Sequence, residues 1–333
     1  LEREPNTEYV LSLSYGKDSL ACLGAIEELG WPLDRIIHAE VWATDDIPAD
    51  LPPMVSFKVH ADKIIRERYG VEVEHQCAVR NGEKLTYEKL FYHVPIRKET
   101  TINRFGEGGV SPIAGFPPRL APWCNSRLKL RNLQRVPVYN QRMVQKAQRR
   151  VLSSASLSSR GIGVRAISNA GFSTGPIAQG AKTNIVQYLG IAADEPERIE
   201  RHTKPGFKMP LVEVGWDEAY CRKWCEERDL LSPIYTTATR GGCWFCHNQG
   251  IDQLRLLRKT YPDLWKLLLK WDRDSPVTFK ADGHTVRDYD LRFQAEDLGL
   301  VPTDRKFRWK MLTGDNLIAV TKRNLLKLLE GSI

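Results

Sequence analysis

Six residues near the start of the chain, Ser14-Tyr15-Gly16-Lys17-Asp18-Ser19, combine two hydroxyls, an ammonium, a carboxylate and a glycine. At the start of a helix such a set suits phosphate, because unpaired N–H groups and the positive end of the helix dipole face the anion. Gly16 would let the backbone come close, Ser14 and Ser19 would donate hydroxyls, Lys17 would add charge, and Asp18 would hold a magnesium ion on the phosphate oxygens. The pattern is shorter than the Walker loop, which has four residues between its first glycine and its Gly-Lys pair. An ordinary strand–helix turn capped by serine has the same composition.

A second group is built on sulfur. Arg240-Gly241-Gly242-Cys243-Trp244-Phe245-Cys246 sets two thiols at C-x-x-C spacing after a Gly-Gly turn. Two intervening residues let both sulfurs face one metal; a redox dithiol and two independent buried cysteines are the other readings. One such pair supplies half of a tetrahedral site. Cys124 is the third candidate ligand, and Cys225, Cys221, His247 and His202 are the candidates for a fourth. Cys221 and Cys225 also lie four apart on an expected helix, where core packing is the competing role.

The elements that must carry these groups alternate. Tyr9–Leu13 reads as a buried strand, and Leu20, Leu23, Ile26 and Leu29 mark a helix stopped by Gly30. Ile36–Trp42 is the next strand, Met54–Tyr69 a helix closed by Gly70, and Val71–His75 a third strand. Ile185–Gly190 resembles one more strand, and Asp217–Asp229 a helix. Such alternation predicts an α/β fold, a doubly wound parallel sheet whose ligands sit beyond the carboxyl ends of the strands. From Ile251 onward the pattern is mainly helical, so the expected division is a domain over 1–250 and a helical subdomain over 251–333. His38, His60, His75, His93 and His284 have no spacing partners and read as structural or surface residues. Asp45 follows the second strand.

The net charge of +8 is concentrated. The 86 residues between Glu107 and Asp194 contain no acid and twelve bases. Within them, residues 140–183 hold seven serines, five glycines and a single aromatic, Phe172, which predicts an insertion with little core of its own. A one-sign block suits an anionic partner, and a nucleic acid is one such substrate. No apolar run of 18 residues occurs, which excludes a membrane-spanning helix and predicts no membrane partner. The polar opening Leu1-Glu2-Arg3-Glu4-Pro5 lacks the apolar core of a secretory signal. With seven cysteines, an odd number, a reducing, cytoplasmic setting is expected.

Several segments together resemble the phosphoadenosine phosphosulfate (PAPS) reductase-like family of the PP-loop adenine nucleotide alpha-hydrolase superfamily. Ser14–Ser19 resembles its Ser-Gly-Gly-x-Asp-Ser loop, and Trp123-Cys124-Asn125-Ser126-Arg127-Leu128-Lys129 its Cys-Cys-x-x-Arg-Lys element. Gly190–Glu195 is similar to Gly-Ile-Arg-x-x-Glu, Leu231–Tyr235 to Asn-Pro-Leu-Tyr, and Arg240–Cys243 to Arg-x-Gly-Cys. Pro210-Leu211 with Trp216 resembles the Pro-Leu…Trp run between them. The resemblance covers about residues 8–250. It implies ATP or another adenine nucleotide with Mg2+ at Ser14–Ser19, a further nucleotide contact at Asp45, and Lys17, Asp18, Arg127, Lys129 and Arg240 as the catalytic set. It also implies an iron–sulfur cluster or zinc on Cys124, Cys243 and Cys246, with Cys225 as a further ligand.

The departures narrow the activity. Tyr15 replaces a glycine, and Trp123 the first of the paired cysteines. No cysteine follows Cys246 to act as the reductases' nucleophile, and Ala192 stands where a sulfate-binding Arg is expected. The resemblance therefore implies cleavage of ATP between its α and β phosphates to adenylate a substrate for sulfur or nitrogen transfer. Sulfonucleotide reduction through Cys243, Cys246 or an external thiol is one alternative. A nucleic-acid-binding component of a DNA- or RNA-modifying sulfur system is another.

Overall fold

The computed structural model describes residues 1–94, 113–118, 120, 122–130, 184–236, 241–312 and 314–329. The 140–183 insertion, the basic residues from Arg131 to Lys182 and Arg240 lie outside the described residues. Packing divides the described chain into two units: Leu1–Trp42, Leu51–Leu85 and Asn125–Gly241 form the first, Ala43–Asp50, Thr86–Cys124 and Gly242–Ile333 the second.

In the first unit five strands, β1 (Thr7–Ser12), β2 (Arg35–Glu40), β3 (Val73–Cys77), β6 (Asn184–Tyr188) and β7 (Phe207–Lys208), form one sheet in the order β3-β2-β1-β6-β7. All four pairings are parallel, with Leu11 opposite Ile36 and Tyr188. The two-residue strands β4 (Val79–Arg80) and β5 (Glu83–Lys84) form a separate hairpin. The expected α/β parallel sheet is thus present. The chain runs outward from β1 through β2 to β3, then returns to the other side of β1 as β6. Strand order therefore reverses between β1 and β6, and a crevice at the carboxyl ends of those two strands follows from the topology.

Helix α1 (Lys17–Glu28) follows β1, and its small and apolar residues Leu20, Ala21, Cys22, Leu23, Ala25 and Ile26 are buried. Helix α2 (Pro52–Tyr69) leads from β2 to β3 and ends at Gly70, whose φ of 66° is the left-handed stop that its sequence predicts. After α4 (Pro196–His202) and α5 (Pro210–Glu213), α6 (Glu218–Glu226) packs on α1. The approach is close because Gly24 presents no side chain: a Cβ there would meet the Trp224 ring at 2.4 Å. Asp217 caps α6, its carboxylate accepting the Tyr220 N–H at 2.7 Å.

The second unit gathers aromatic residues around α3 (Tyr87–Phe91). Tyr87 lies 4.1 Å from Phe245, 4.9 Å from Trp123 and 5.2 Å from Trp271, ring centre to ring centre. Trp271 stacks on Trp244 and donates to Glu88 Oε1. Helices α7 (Ile251–Thr260), α8 (Pro262–Asp274), α9 (Val286–Asp297) and α10 (Asp315–Leu329) complete it. Among the described residues, no helix is long and apolar enough to cross a membrane.

Candidate functional site

Ser14–Ser19 bridges the carboxyl end of β1 and the first turn of α1. The turn is held by its own hydroxyls: Ser14 N–H donates to Ser19 Oγ at 3.2 Å, Ser19 Oγ donates to the Gly16 carbonyl at 2.9 Å, and the two Oγ atoms lie 3.0 Å apart. Tyr15 adopts φ 57°, a left-handed conformation that costs a non-glycine residue about 1 kcal/mol or more. Its ring is fully buried. Its hydroxyl donates to Asp62 and lies 3.1 Å from His75 Nε2. Tyr15 thus lends the turn its main chain, while its side chain fixes the turn to α2 and β3.

Lys17 is expected to face an anion. Its buried ammonium instead donates to Asp18 Oδ1 at 2.7 Å and pairs with Glu218 Oε2 at 3.0 Å. Burial opposes its charge, but the bonds to both carboxylates outweigh that and raise its pKa. Burial also raises Asp18, reinforced by Glu218 and Glu195 and opposed by Lys17. Ligand oxygens of Asp18, Glu195 and Glu218 all lie within 4.8 Å of one another. Arg198 holds Glu195 at 2.5 Å and 2.6 Å, and the Ala192 N–H reaches Glu195 Oε2 at 3.3 Å. Tyr235 completes the turn by accepting the Lys17 N–H at 3.0 Å.

β6 delivers Gly190 to the same place. A Cβ on Gly190 would lie 2.6 Å from Ser19 Cα and 2.7 Å from Ser19 N, so only glycine lets the end of β6 meet the first turn of α1 here. The loop, the Glu195 segment and the first turn of α6 thus meet at the reversal of the sheet.

Other expected site residues are distributed differently. Arg127 is exposed and Lys129 half-buried on a π-helical turn, Asn125–Leu130, which packs on β2 and in which Leu128 is buried. Asp45 belongs to the second unit, where it pairs with Lys89 at 2.8 Å. Cys225, expected as a further metal ligand, packs in a hydrophobic core. It is fully buried in the first unit beside Cys221, and its thiol donates to the Lys17 carbonyl at 3.3 Å. Burial pushes its thiol up to about 12, and the bond to the Lys17 carbonyl ties it to the first turn of α1.

Cys124, Cys243 and Cys246 are half-buried in the second unit. Two turns shape the C-x-x-C: the Cys246 N–H donates to the Cys243 carbonyl at 3.0 Å, and the Gln249 N–H to the Cys246 carbonyl at 2.9 Å. All three thiols lie near enough to Tyr87 to add to the burial that raises its hydroxyl pKa. Among the described residues, however, this trio is not one of the groups whose ligand atoms all lie within 4.8 Å.

Three participants escaped the sequence reading. Glu218 carries no local signal, being 200 residues from the loop, while Glu195 and Tyr235 lie in quoted segments without an assigned role. Comparison with family models, with curated proteins and with solved structures finds no match to this chain.

Proposed function

We propose that the chain is a PP-loop enzyme of the PAPS reductase-like kind, which binds ATP or a related adenine nucleotide and cleaves it between the α and β phosphates. The observation that carries this reading is the convergence of Ser14–Ser19 and Gly190 where the strand order reverses, the position at which open α/β sheets bind ligands. Asp18, Glu195 and Glu218 are a hard-oxygen donor set that fits a magnesium ion. Such an ion would offset phosphate charge that these carboxylates would otherwise repel.

The chain's own residues have distinct tasks in this mechanism. Gly16 admits the polyphosphate to the main chain, and the start of α1 faces it with its dipole. Lys17 stabilises the departing pyrophosphate after exchanging one carboxylate partner for a phosphate oxygen. A substrate oxygen bonds to the α-phosphorus, the bond to the bridging oxygen breaks, and pyrophosphate carries away the electron pair. A sulfur or nitrogen nucleophile then attacks the adenylated substrate, the bond to the adenylated oxygen breaks, and AMP leaves with the electron pair. No step is routed through the thiols.

The test is release of pyrophosphate from ATP labelled at its β phosphate, with Mg2+ and the full chain. Cleavage at the γ phosphate, or no adenine nucleotide bound in calorimetry, refutes the reading.

A further inference from the structure

The sheet brings together a second polar group that the phosphate-loop reading does not use. His38 and Glu40 are two apart on β2 and share a face of the sheet. His75 on β3 is the Cα partner of His38. One ring nitrogen of each histidine and a Glu40 oxygen all lie within 4.8 Å of one another. The two rings meet edge to face at 5.4 Å.

The outer contacts orient both imidazoles. His38 is 7% exposed, and its Nδ1 lies 2.9 Å from the Leu13 carbonyl, which fixes the proton on Nδ1. Its Nε2 therefore carries a lone pair, is buried, and has no hydrogen-bond partner among the described residues. Leaving such an acceptor unmatched costs about 1–3 kcal/mol. His75 Nε2 lies 2.8 Å from Asp62 Oδ2, and its Nδ1 lies 2.9 Å from Glu40 Oε2. The other Glu40 oxygen accepts from Lys58 Nζ at 3.3 Å.

We propose that His38, Glu40 and His75 bind a divalent transition metal ion of the zinc class, through His38 Nε2, His75 Nδ1 and Glu40 Oε2. Two imidazoles and one carboxylate are a donor set for such ions, and a fourth position would remain for water. Each histidine already has the outer partner that ligating histidines need, a backbone carbonyl for His38 and a carboxylate for His75. The ion replaces the proton between His75 Nδ1 and Glu40 Oε2, which leaves to solvent, and no electron transfer is involved. Their separation must widen from 2.9 Å to about 3.4 Å, the span of two ligands on one tetrahedral ion. The Lys58 cation opposes the ion's charge and stays with the other Glu40 oxygen. The side chains of Glu40 and His75 are 21% and 27% exposed, so solvent reaches the site. None of this depends on the nucleotide reading.

The experiment titrates Zn2+ and Co2+ into the chelator-treated full chain. One equivalent is expected at this site, with affinity falling at least 100-fold in His38→Gln and in His75→Gln. Asp62→Asn should cost about 10–100-fold, as for other outer partners. Wild-type protein loaded with Co2+ should show two hyperfine-shifted, exchangeable imidazole N–H protons, unchanged when the accessible thiols are alkylated. This readout needs no variant to fold. Binding that survives both histidine substitutions, or a Co2+ form lacking the shifted imidazole protons, overturns the proposal and leaves the group as a buried ion-pair network.

Discussion

Replacing Gly190 by alanine tests the convergence at the heart of the site. The new methyl would stand 2.6 Å from Ser19 Cα, 2.7 Å from Ser19 N and 2.9 Å from the Asp18 carbonyl carbon. Carbon atoms pack at about 3.5–4.0 Å, so β6 and α1 must separate by about 1 Å. No rotamer relieves the clash, because every atom met is backbone. Nor can α1 simply retreat, since Gly24 on its length is already pressed against Trp224. Overpacking of this kind costs about 1–3 kcal/mol, and the absence of a flexible neighbour places Gly190→Ala at the upper end, about 3 kcal/mol. Urea unfolding followed by tryptophan fluorescence measures it, with Gly242→Ala as control because a Cβ there meets nothing within 4 Å. The displaced turn should also lose adenine nucleotide affinity at least tenfold in calorimetry of the folded variant. A Gly190→Ala protein within about 0.5 kcal/mol of wild type would refute the close approach and, with it, the assignment of the crevice.

Three further outcomes follow from the same geometry. Glu218→Gln removes one of the two carboxylates on Lys17 and one of the three oxygen donors; the Mg2+ concentration that half-saturates nucleotide binding should rise about tenfold, and an unchanged requirement would exclude Glu218 from the cation site. Burial holds Cys221 and Cys225 up at about 12, so mass spectrometry of native protein treated with iodoacetamide at pH 8 should find Cys124, Cys243 and Cys246 labelled and these two labelled only after unfolding. In chelator-treated protein, the contribution of His38 and His75 to stability should peak near pH 6.5. On the alkaline side, burial opposes the charge of His75, but its bonds to Asp62 and Glu40 hold it at about 9, so its contribution is complete below about 6.5 and lost as pH rises through 9. On the acid side, burial and then the Lys58 cation push His38 to about 3, so below 6.5 the unfolded chain gains a proton that the folded chain refuses, and stability falls toward pH 3. Denaturant midpoints from pH 4 to 10 check both limbs; a flat profile between 6.5 and 9.5, or an alkaline limb that persists in His75→Gln, contradicts the assignment.

The strands and the first helices were legible because their signals are local. Apolar runs ending in Ser14 and Gly190, and Gly70 after α2, mark element ends without reference to anything distant. Side-chain partners were not legible, because they depend on strand order and register. Read along the chain, His38 and His75 stand 37 positions apart with no spacing relation; once β2 pairs with β3 they are opposite one another. The ion pair of Lys17 with Glu218 likewise exists only because α6 packs on α1. Tyr15 shows the converse case. In the motif it reads as a ligand contact replacing glycine, yet its left-handed backbone is kept while its ring serves the interior.

That last contrast explains how one short turn belongs to two polar networks. Consecutive residues leave it toward different partners, Tyr15 to Asp62 and His75, Lys17 to Asp18 and Glu218. Glycine at position 15 would adopt the same φ without strain but would supply no anchor. With tyrosine, the left-handed bend is stabilised by a buried hydroxyl bond, and Leu13 just before it is tied to His38 by a second. Anything that alters the charge of the His38–Glu40–His75 group must therefore act on the main chain of Leu13 and the ring of Tyr15, and through them on where Gly16 and the Lys17 N–H stand. A substitution such as Tyr15→Gly separates the two networks. It should leave the Lys17 carboxylate pairs in place while making nucleotide affinity insensitive to Zn2+, whereas in wild type the two ligands should alter each other's affinity by the same factor.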